Sequence, residues 1–215
     1  MYQFILFDLD GTLLDTLDDL TASVNYAMRK FGLQQHTVEE VRSYIGNGSM
    51  ELIRRAIGGA DVPFDGVLQA FRQYYQEHGT DATKPYDGVM EMLKNLQLQG
   101  KRCVVLSNKA HAPTQLLCGH YFGDFIELAV GERESEGIRK KPAPDAVYAV
   151  MQTLGATAEN TVYIGDSEVD IQTAKNAAIP CISVTWGFKD RAFLLENGAT
   201  VLVDDTKQLL QILSK

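Results

Sequence analysis

Residues 4–12 read Phe4-Ile5-Leu6-Phe7-Asp8-Leu9-Asp10-Gly11-Thr12, so an apolar run ends abruptly in two carboxylates, a glycine and a hydroxyl. The apolar run is typical of a strand that is buried on both faces of a parallel sheet. Alternation puts Asp8 and Asp10 on the same side of the chain, and parallel α/β sheets bind ligands at the carboxyl ends of their strands. The stretch therefore predicts either a site for a hard cation such as Mg²⁺, which would relieve the repulsion between the acids, or a solvated Asp-Gly turn.

The remainder of the chain predicts the sheet to which this strand belongs. Short apolar, β-branched runs alternate with helical patterns, and the expected strands are residues 3–8, 102–107, 126–130, 161–165, 181–185 and 200–203. Such alternation is typical of an α/β fold, here a Rossmann-like parallel sheet with helices on both faces. The runs around Val105 and Ile164 are continuously apolar, and we expect them to flank the first strand.

A long interval separates the first two expected strands, and its pattern is helical. Apolar residues follow the 3.6-residue period from Leu17 to Phe31, and Thr37 with Glu40 fits a capping box. The return segment begins Lys84-Pro85 and contains the proline and glycine expected at a domain boundary. We predict an α/β core of residues 1–15 and 84–215, and an inserted all-helical domain of residues 16–83.

Composition narrows the classes of function. The 215 residues carry 20 basic and 28 acidic side chains, a formal charge of −8, which argues against binding to a nucleic acid polymer. No apolar stretch approaches the roughly 20 residues of a membrane span, and the N-terminal run is too short for a signal peptide. The three cysteines are scattered and odd in number, and they predict buried, reduced thiols in a cytoplasmic protein: Cys103, Cys118 and Cys181.

Three further polar groups follow apolar runs at the same predicted edge of the sheet. Ser107-Asn108-Lys109 offers a hydroxyl, an amide and the start of a following helix for an anion, although serine is also an ordinary helix cap. Lys141, before Pro142, supplies an ammonium suited to phosphate. Gly165-Asp166-x-x-x-Asp170 could be a helix cap with a first-turn acid, but more acids at this edge favour a metal.

These four motifs, in this order and with a helical insertion after the first, resemble the haloacid dehalogenase superfamily of phosphotransferases over essentially the whole chain. The sequence is most similar to the branch that contains phosphoglycolate phosphatases and their pyrophosphatase relatives. The resemblance implies that the insertion is a cap domain. It also implies a Mg²⁺-dependent phosphatase that hydrolyses a small phosphorylated metabolite through an aspartyl phosphate.

The resemblance also implies roles for individual residues. Asp8 would be the nucleophile and Asp10 the general acid and base, with Lys141 counted among the catalytic residues. The Asp8 carboxylate, the Asp10 backbone carbonyl and the Asp166 carboxylate would hold Mg²⁺, Asp170 would orient Lys141 or a metal-bound water, and Thr12 would support Asp10. Substrate contacts would come from the following residues: Gly11, Thr12, Ser107, Asn108 and Lys141 in the core, and Gly46, Asn47 and Gly48 in a cap loop that could also be an ordinary turn.

Several alternatives stay open. Asp10 disfavours a dehalogenase, because a departing halide needs no proton. A β-phosphoglucomutase-like mutase, a pyrophosphatase or a nucleotidase would use the same acids, whereas a non-catalytic phosphate-binding protein would be expected to have lost some of them. Three glutamates in Gly131–Gly137 make a polyanionic substrate less expected. Trp186-Gly187-Phe188 either lines the cleft entrance or packs, and the chain is expected to be a monomer or a weak homodimer.

Overall fold

The computed structural model describes residues 2–215. In chain order the first elements are β1 (Phe4–Phe7), β2 (Leu14–Asp15), α1 (Leu17–Lys30), α2 (Val38–Tyr44), α3 (Ser49–Ile57), α4 (Phe64–His78) and β3 (Lys84–Pro85). The following elements are α5 (Val89–Leu98), β4 (Arg102–Ala110), α6 (His111–Tyr121), β5 (Leu128–Glu132), α7 (Asp145–Leu154) and β6 (Thr161–Gly165). The chain then forms α8 (Glu168–Asn176), β7 (Cys181–Val184), α9 (Arg191–Glu196), β8 (Leu202–Val203) and α10 (Thr206–Leu213).

A six-stranded parallel sheet organises the larger part of the chain, with strand order β5-β4-β1-β6-β7-β8. The first strand lies between β4 and β6, where Leu6 is in register with Val104 on one side and Tyr163 on the other. Both the predicted fold class and the predicted neighbours of β1 are confirmed. The central position of β1 brings the ends of three motif-bearing strands together.

Strand β1 is apolar at every position because both faces of the sheet are covered. Ile5 and Phe7 belong to an apolar cluster with residues of α5, α6 and α10. Phe4 and Leu6 point the other way, into a cluster with residues of α7 and α8. The alternation of one strand between two cores is what a continuously apolar run predicts in a parallel sheet.

The chain divides into two compact units. The first comprises the chain up to Leu14 together with Pro85–Lys215, and the second is Asp15–Lys84. The second unit contains α1 to α4 around an apolar cluster of its own, which includes Val24, Ile53 and Phe71. Helix α2 begins at a capping box in which the Glu40 amide donates to the Thr37 hydroxyl at 3.2 Å and the Thr37 amide donates to the Glu40 carboxylate at 2.7 Å.

Strand β4 is longer than predicted. It continues through Ser107, Asn108 and Lys109 to Ala110, with a register shift between Leu106 and Ala110 against β5. Helix α6 therefore begins only at His111, and the expectation that a helix starts directly after Ser107 is wrong. Pairing of Ala110 with Glu132 of β5 is the physical reason, because it keeps the polar triplet extended.

The three cysteines form no disulfide, and the predicted burial holds for two of them but not for Cys181. Cys103 and Cys118 are buried, whereas Cys181 is partly exposed. Burial raises the pKa of all three thiols to about 12, which suits a packing role better than a reactive one.

Within residues 2–215, no helix combines the length and the apolar character needed to cross a membrane.

Candidate active site

The predicted site residues of the first unit meet where β1, β4 and β6 end. Asp8 follows β1 directly, Ser107 lies near the end of β4, and Asp166 follows β6 directly. Asp170 lies in the first turn of α8, and Lys141 lies in the segment before α7. Because the three strands are parallel neighbours, their carboxyl ends place these side chains at one edge of the sheet.

Lys141 links two of the acids. Its Nζ lies 2.9 Å from Oδ1 of Asp8 and donates to Oδ1 of Asp170 at 2.7 Å. Lys141 is 5% exposed and Asp170 is fully buried, so the contact is shielded from water. Asp170 also accepts hydrogen bonds from the Ser167 hydroxyl at 2.6 Å and the Ser167 amide at 3.2 Å. These contacts are those expected of a residue that orients Lys141.

Asn108 acts on the backbone of the same lysine. Its Nδ2 donates to the Lys141 carbonyl at 3.0 Å, and its Oδ1 accepts from the Lys141 amide at 2.9 Å. The amide group that we expected to contact substrate thus braces Lys141. The neighbouring Ser107 is nearly buried, and its hydroxyl accepts a hydrogen bond from the Lys109 amide at 3.2 Å.

Asp10 has an ammonium partner that the sequence patterns did not assign to it. Lys109 Nζ donates to both carboxylate oxygens of Asp10, each at 2.9 Å. The side chains are 8% and 13% exposed, respectively. This contact could have been predicted from the sequence, because Lys109 follows a predicted strand at the edge that carries the two acids. A cation there reduces the repulsion between Asp8 and Asp10.

Asp166 is held by two groups that come from distant parts of the sequence. The Thr12 hydroxyl donates to Oδ1 at 3.2 Å, and the Phe188 amide donates to Oδ2 at 2.7 Å. The prediction that Thr12 supports Asp10 is therefore wrong. The chain turns back sharply after Asp10, where the amides of Thr12 and Leu14 both donate to the Leu9 carbonyl. This turn brings the Thr12 hydroxyl within hydrogen-bond distance of Asp166.

Two glycines allow the close approach to Asp166. At Gly11, which has a φ of +86°, a Cβ would lie 2.3 Å from Oδ2 of Asp166. At Gly187 a Cβ would lie 2.3 Å from the Gly11 carbonyl oxygen and 2.4 Å from Cβ of Asp166. The segment Trp186–Phe188 thus packs directly on the acid, which is the second of the two roles expected for it.

The predicted cap-loop residues lie in the second unit. Gly46, Asn47 and Gly48 connect α2 to α3, with φ angles of +124° at Gly46 and +84° at Gly48. These φ values favour glycine, so the loop needs its glycines for its backbone path. On α3, Arg54 is 62% exposed and pairs with Glu51 at 2.7 Å.

The sequence profile of the haloacid dehalogenase-like hydrolases matches residues 5–184. The chain belongs to this family. The resemblance inferred from the four motifs is thereby confirmed, and the matched residues include every motif and the helical unit.

Curated relatives are about one-third identical to the chain over the aligned residues. A phosphoglycolate phosphatase of Pseudomonas syringae pv. syringae (strain B728a) is 34% identical over 97% of this chain and 78% of its own length. Phosphoglycolate phosphatase 1 of Pseudomonas aeruginosa is 33% identical over the same shares. A crystal structure from Lactobacillus delbrueckii subsp. bulgaricus, 36% identical, superposes with a TM-score of 0.92 over 99% of this chain and 98% of that one. Another, of a predicted phosphoglycolate phosphatase from Haemophilus somnus 129pt, has 27% identity and a TM-score of 0.91, and covers 98% of this chain and 97% of that one.

The acids of this haloacid dehalogenase-like hydrolase form a group that fits a divalent cation. Asp8, Asp166 and Asp170 each offer a carboxylate oxygen, and these atoms lie within 4.8 Å of one another. Burial, opposed by Lys141, raises the pKa of Asp8 to about 7. Burial and then the charges of Asp170 and Asp8 raise the pKa of Asp166 well above its ordinary value. Since Lys141 supplies one positive charge to three acids, a hard dication would relieve the remaining repulsion.

Proposed function

We propose that the protein is a Mg²⁺-dependent phosphatase that hydrolyses a phosphate monoester of a small metabolite through an aspartyl phosphate. The observation that carries the proposal is the contact between Asp8 and Lys141 inside an acidic cluster. An ammonium beside a carboxylate nucleophile suits a substrate whose reacting group is an anion. Asp8 is 13% exposed, so its carboxylate remains accessible from the edge of the sheet.

The residues account for both halves of the reaction. In the first half an oxygen of Asp8 attacks phosphorus, the bond from phosphorus to the ester oxygen breaks, and Asp10 gives a proton to that oxygen. In the second half a water attacks the same phosphorus, Asp10 takes the proton of the water, and the bond to Asp8 breaks to release inorganic phosphate. Lys141 and Ser107 would hold the phosphoryl oxygens during both steps, and Gly11 and Thr12 would contact the substrate from the turn after β1.

Magnesium would be held by the carboxylates of Asp8 and Asp166 and by the backbone carbonyl of Asp10. The side chain of Asp10 is engaged by Lys109 and lies outside the acidic group of Asp8, Asp166 and Asp170, which agrees with a contribution through its backbone. When bound, the ion supplies positive charge that compensates the acids and the phosphate. The Phe188 amide and the Thr12 hydroxyl keep Asp166 in place for this purpose.

Selection of the substrate is assigned to the insertion. We propose that residues 16–83 form a cap domain, that residues 1–15 and 84–215 form the catalytic core, and that Gly46, Asn47 and Gly48 contact the part of the substrate beyond the phosphate. Curated relatives that match 97% of the chain, insertion included, are named phosphoglycolate phosphatase. This supports 2-phosphoglycolate as the first candidate substrate. The reduced thiols support a location in the cytoplasm.

A panel of phosphorylated metabolites tests the proposal. The purified protein is incubated, with and without Mg²⁺, with 2-phosphoglycolate, pyrophosphate, nucleoside monophosphates and sugar phosphates, and released phosphate is measured. We expect Mg²⁺-dependent release that Asp8→Asn abolishes and that the exposed-site variant Asp204→Asn leaves intact. Absence of such turnover on every substrate would reject the phosphatase. Isomerised sugar phosphate without phosphate release would instead identify a mutase.

A further inference from the structure

We propose that Lys109 is the positioning residue of Asp10, holding the carboxylate through which the reaction's protons pass while not itself touching the phosphate. The proposal rests on the phosphatase activity proposed above and adds to it a residue with a separate task. Two buried ammonium groups reach the site, and each is directed at a different carboxylate. Lys141 contacts Asp8, whereas Lys109 contacts Asp10.

The contact fixes the orientation of Asp10 as well as its position. Hydrogen bonds from one Nζ reach both oxygens at the same distance, 2.9 Å, so rotation of the carboxylate about its last bond would lengthen one of them. Only 8% of the Lys109 side chain is exposed, which limits competition from water. A general acid and base must present its oxygen within hydrogen-bond reach of the reacting group, and this geometry supplies the restraint.

The backbone of Lys109 is itself held on three sides. Its amide donates to the Ser107 hydroxyl at 3.2 Å, and its carbonyl accepts from the buried Thr114 hydroxyl at 3.3 Å. A Cβ at Gly131 of β5 would lie 2.5 Å from the same carbonyl oxygen, so only glycine permits this approach. Lys109 is thus anchored at the end of a paired strand, in contrast to the mobile lysines of a protein surface.

This division of tasks gives a measurable signature. Replacement of a residue that works through Asp10 should lower kcat/KM for a substrate whose leaving group needs a proton. It should change kcat/KM little for a substrate whose leaving group needs none. An alkyl phosphate such as 2-phosphoglycolate must have its departing oxygen protonated, whereas acetyl phosphate, of similar size, releases a stable carboxylate. The ratio kcat/KM reports the first half of the reaction for both substrates, because that half ends in the first irreversible step.

The test compares Lys109→Met with wild type, using acetyl phosphate and the alkyl phosphate that the panel identifies as the best substrate. We expect kcat/KM to fall at least about tenfold for the alkyl phosphate and less than about threefold for acetyl phosphate, since positioned acids contribute 10²- to 10⁴-fold. Asp10→Asn should show the same pattern. In the Asp10→Asn background, Lys109→Met should cause no further loss, because its target is already gone.

Matched variants separate positioning from folding. Lys101→Met also removes a buried ammonium, but this one donates to the Tyr2 carbonyl before β1, at the amino end of the strands. In this variant the ratio of kcat/KM for the alkyl phosphate to kcat/KM for acetyl phosphate should equal that of the wild type. Lys109→Arg, which keeps a charged donor, should restore part of the lost rate, and circular dichroism reports whether each variant folds. Equal losses on both substrates, or an additional loss in the Asp10→Asn background, would show that Lys109 acts on the phosphate and would overturn the inference. Failure of the wild type on the whole panel would instead reject the phosphatase itself.

Discussion

The side chain of Asn108 closes around one peptide unit of the neighbouring segment, where it exchanges two hydrogen bonds with the backbone amide and carbonyl of Lys141. Both residues are buried. The arrangement lets one end of β4 fix the lysine that contacts Asp8, although 33 residues separate the two positions in the sequence. An asparagine suits this task because its amide carries a donor and an acceptor on one short side chain.

Asn108→Ala is therefore expected to disturb Lys141 without removing it. Two buried backbone groups lose their partners, which should lower the free energy of unfolding by about 1 to 3 kcal/mol. A misplaced Lys141 should lower kcat/KM by about tenfold or more, since small displacements of positioned groups are costly. Urea denaturation and steady-state kinetics measure the two effects.

Asn176→Ala is the matched control for this change. Asn176 also donates to a backbone carbonyl of the same segment, that of Pro142 at 2.8 Å, but from an exposed position. Its loss should cost no more than about 1 kcal/mol and leave kcat/KM unchanged. Similar kinetic losses in the two variants would contradict a specific role for Asn108.

Removal of one acid from the cluster should have opposite effects on stability with and without metal. In Asp166→Asn the repulsion from Asp8 and Asp170 is relieved, so the metal-free variant should melt at the same temperature as metal-free wild type or higher. Mg²⁺ at a hundred times its dissociation constant should stabilise the wild type by about 2.7 kcal/mol, and the variant should not respond. Thermal melts with and without Mg²⁺ record this without any assay of activity.

Asp204→Asn serves as the control for the metal response, because Asp204 is exposed and pairs with Arg191 on the surface. It should keep the full Mg²⁺-dependent shift. A Mg²⁺ shift of wild-type size in Asp166→Asn would exclude Asp166 as a ligand.

Sequence patterns were sufficient for the sheet and for the edge of the sheet at which the candidate site residues lie. The continuous apolar runs through Leu6, Val105 and Ile164 identify strands buried on both faces, and parallel neighbours must send their carboxyl ends to one edge. Partners of individual side chains depend on turns that no periodicity describes. The Thr12 hydroxyl reaches Asp166 because of a turn within residues 9–14, and Lys109 reaches Asp10 because β4 continues beyond its apolar part.

Gly187→Ala tests the close packing of the segment Trp186–Phe188 on Asp166. The added methyl group would meet the Gly11 carbonyl and Cβ of Asp166 at less than 2.5 Å, so backbone has to move. We expect a loss of about 1 to 3 kcal/mol in stability, as for other overpacked sites, together with a smaller Mg²⁺-induced shift in melting temperature. Gly119→Ala, at an exposed position of α6 with nothing near the new methyl group, should instead be neutral or stabilising by up to about 1 kcal/mol. An unchanged Mg²⁺ shift in Gly187→Ala would show that the packing does not position Asp166.

Asp19 ties the two ends of the helical unit together, and its removal should loosen that unit locally. From the first turn of α1, its buried carboxylate accepts hydrogen bonds from the Ala82 amide at 3.0 Å, the Thr83 amide at 2.8 Å and the Thr83 hydroxyl at 2.7 Å. Asp19→Ala should cost about 2 to 4 kcal/mol, because several buried donors lose one acceptor. Asp18→Ala removes an exposed carboxylate from the same turn, so both variants lose the favourable charge at the helix start, worth about 0.3 to 1 kcal/mol. Hydrogen exchange at the Ala82 and Thr83 amides should accelerate only in Asp19→Ala, and equal exchange in the two variants would mean that the carboxylate does not hold this segment.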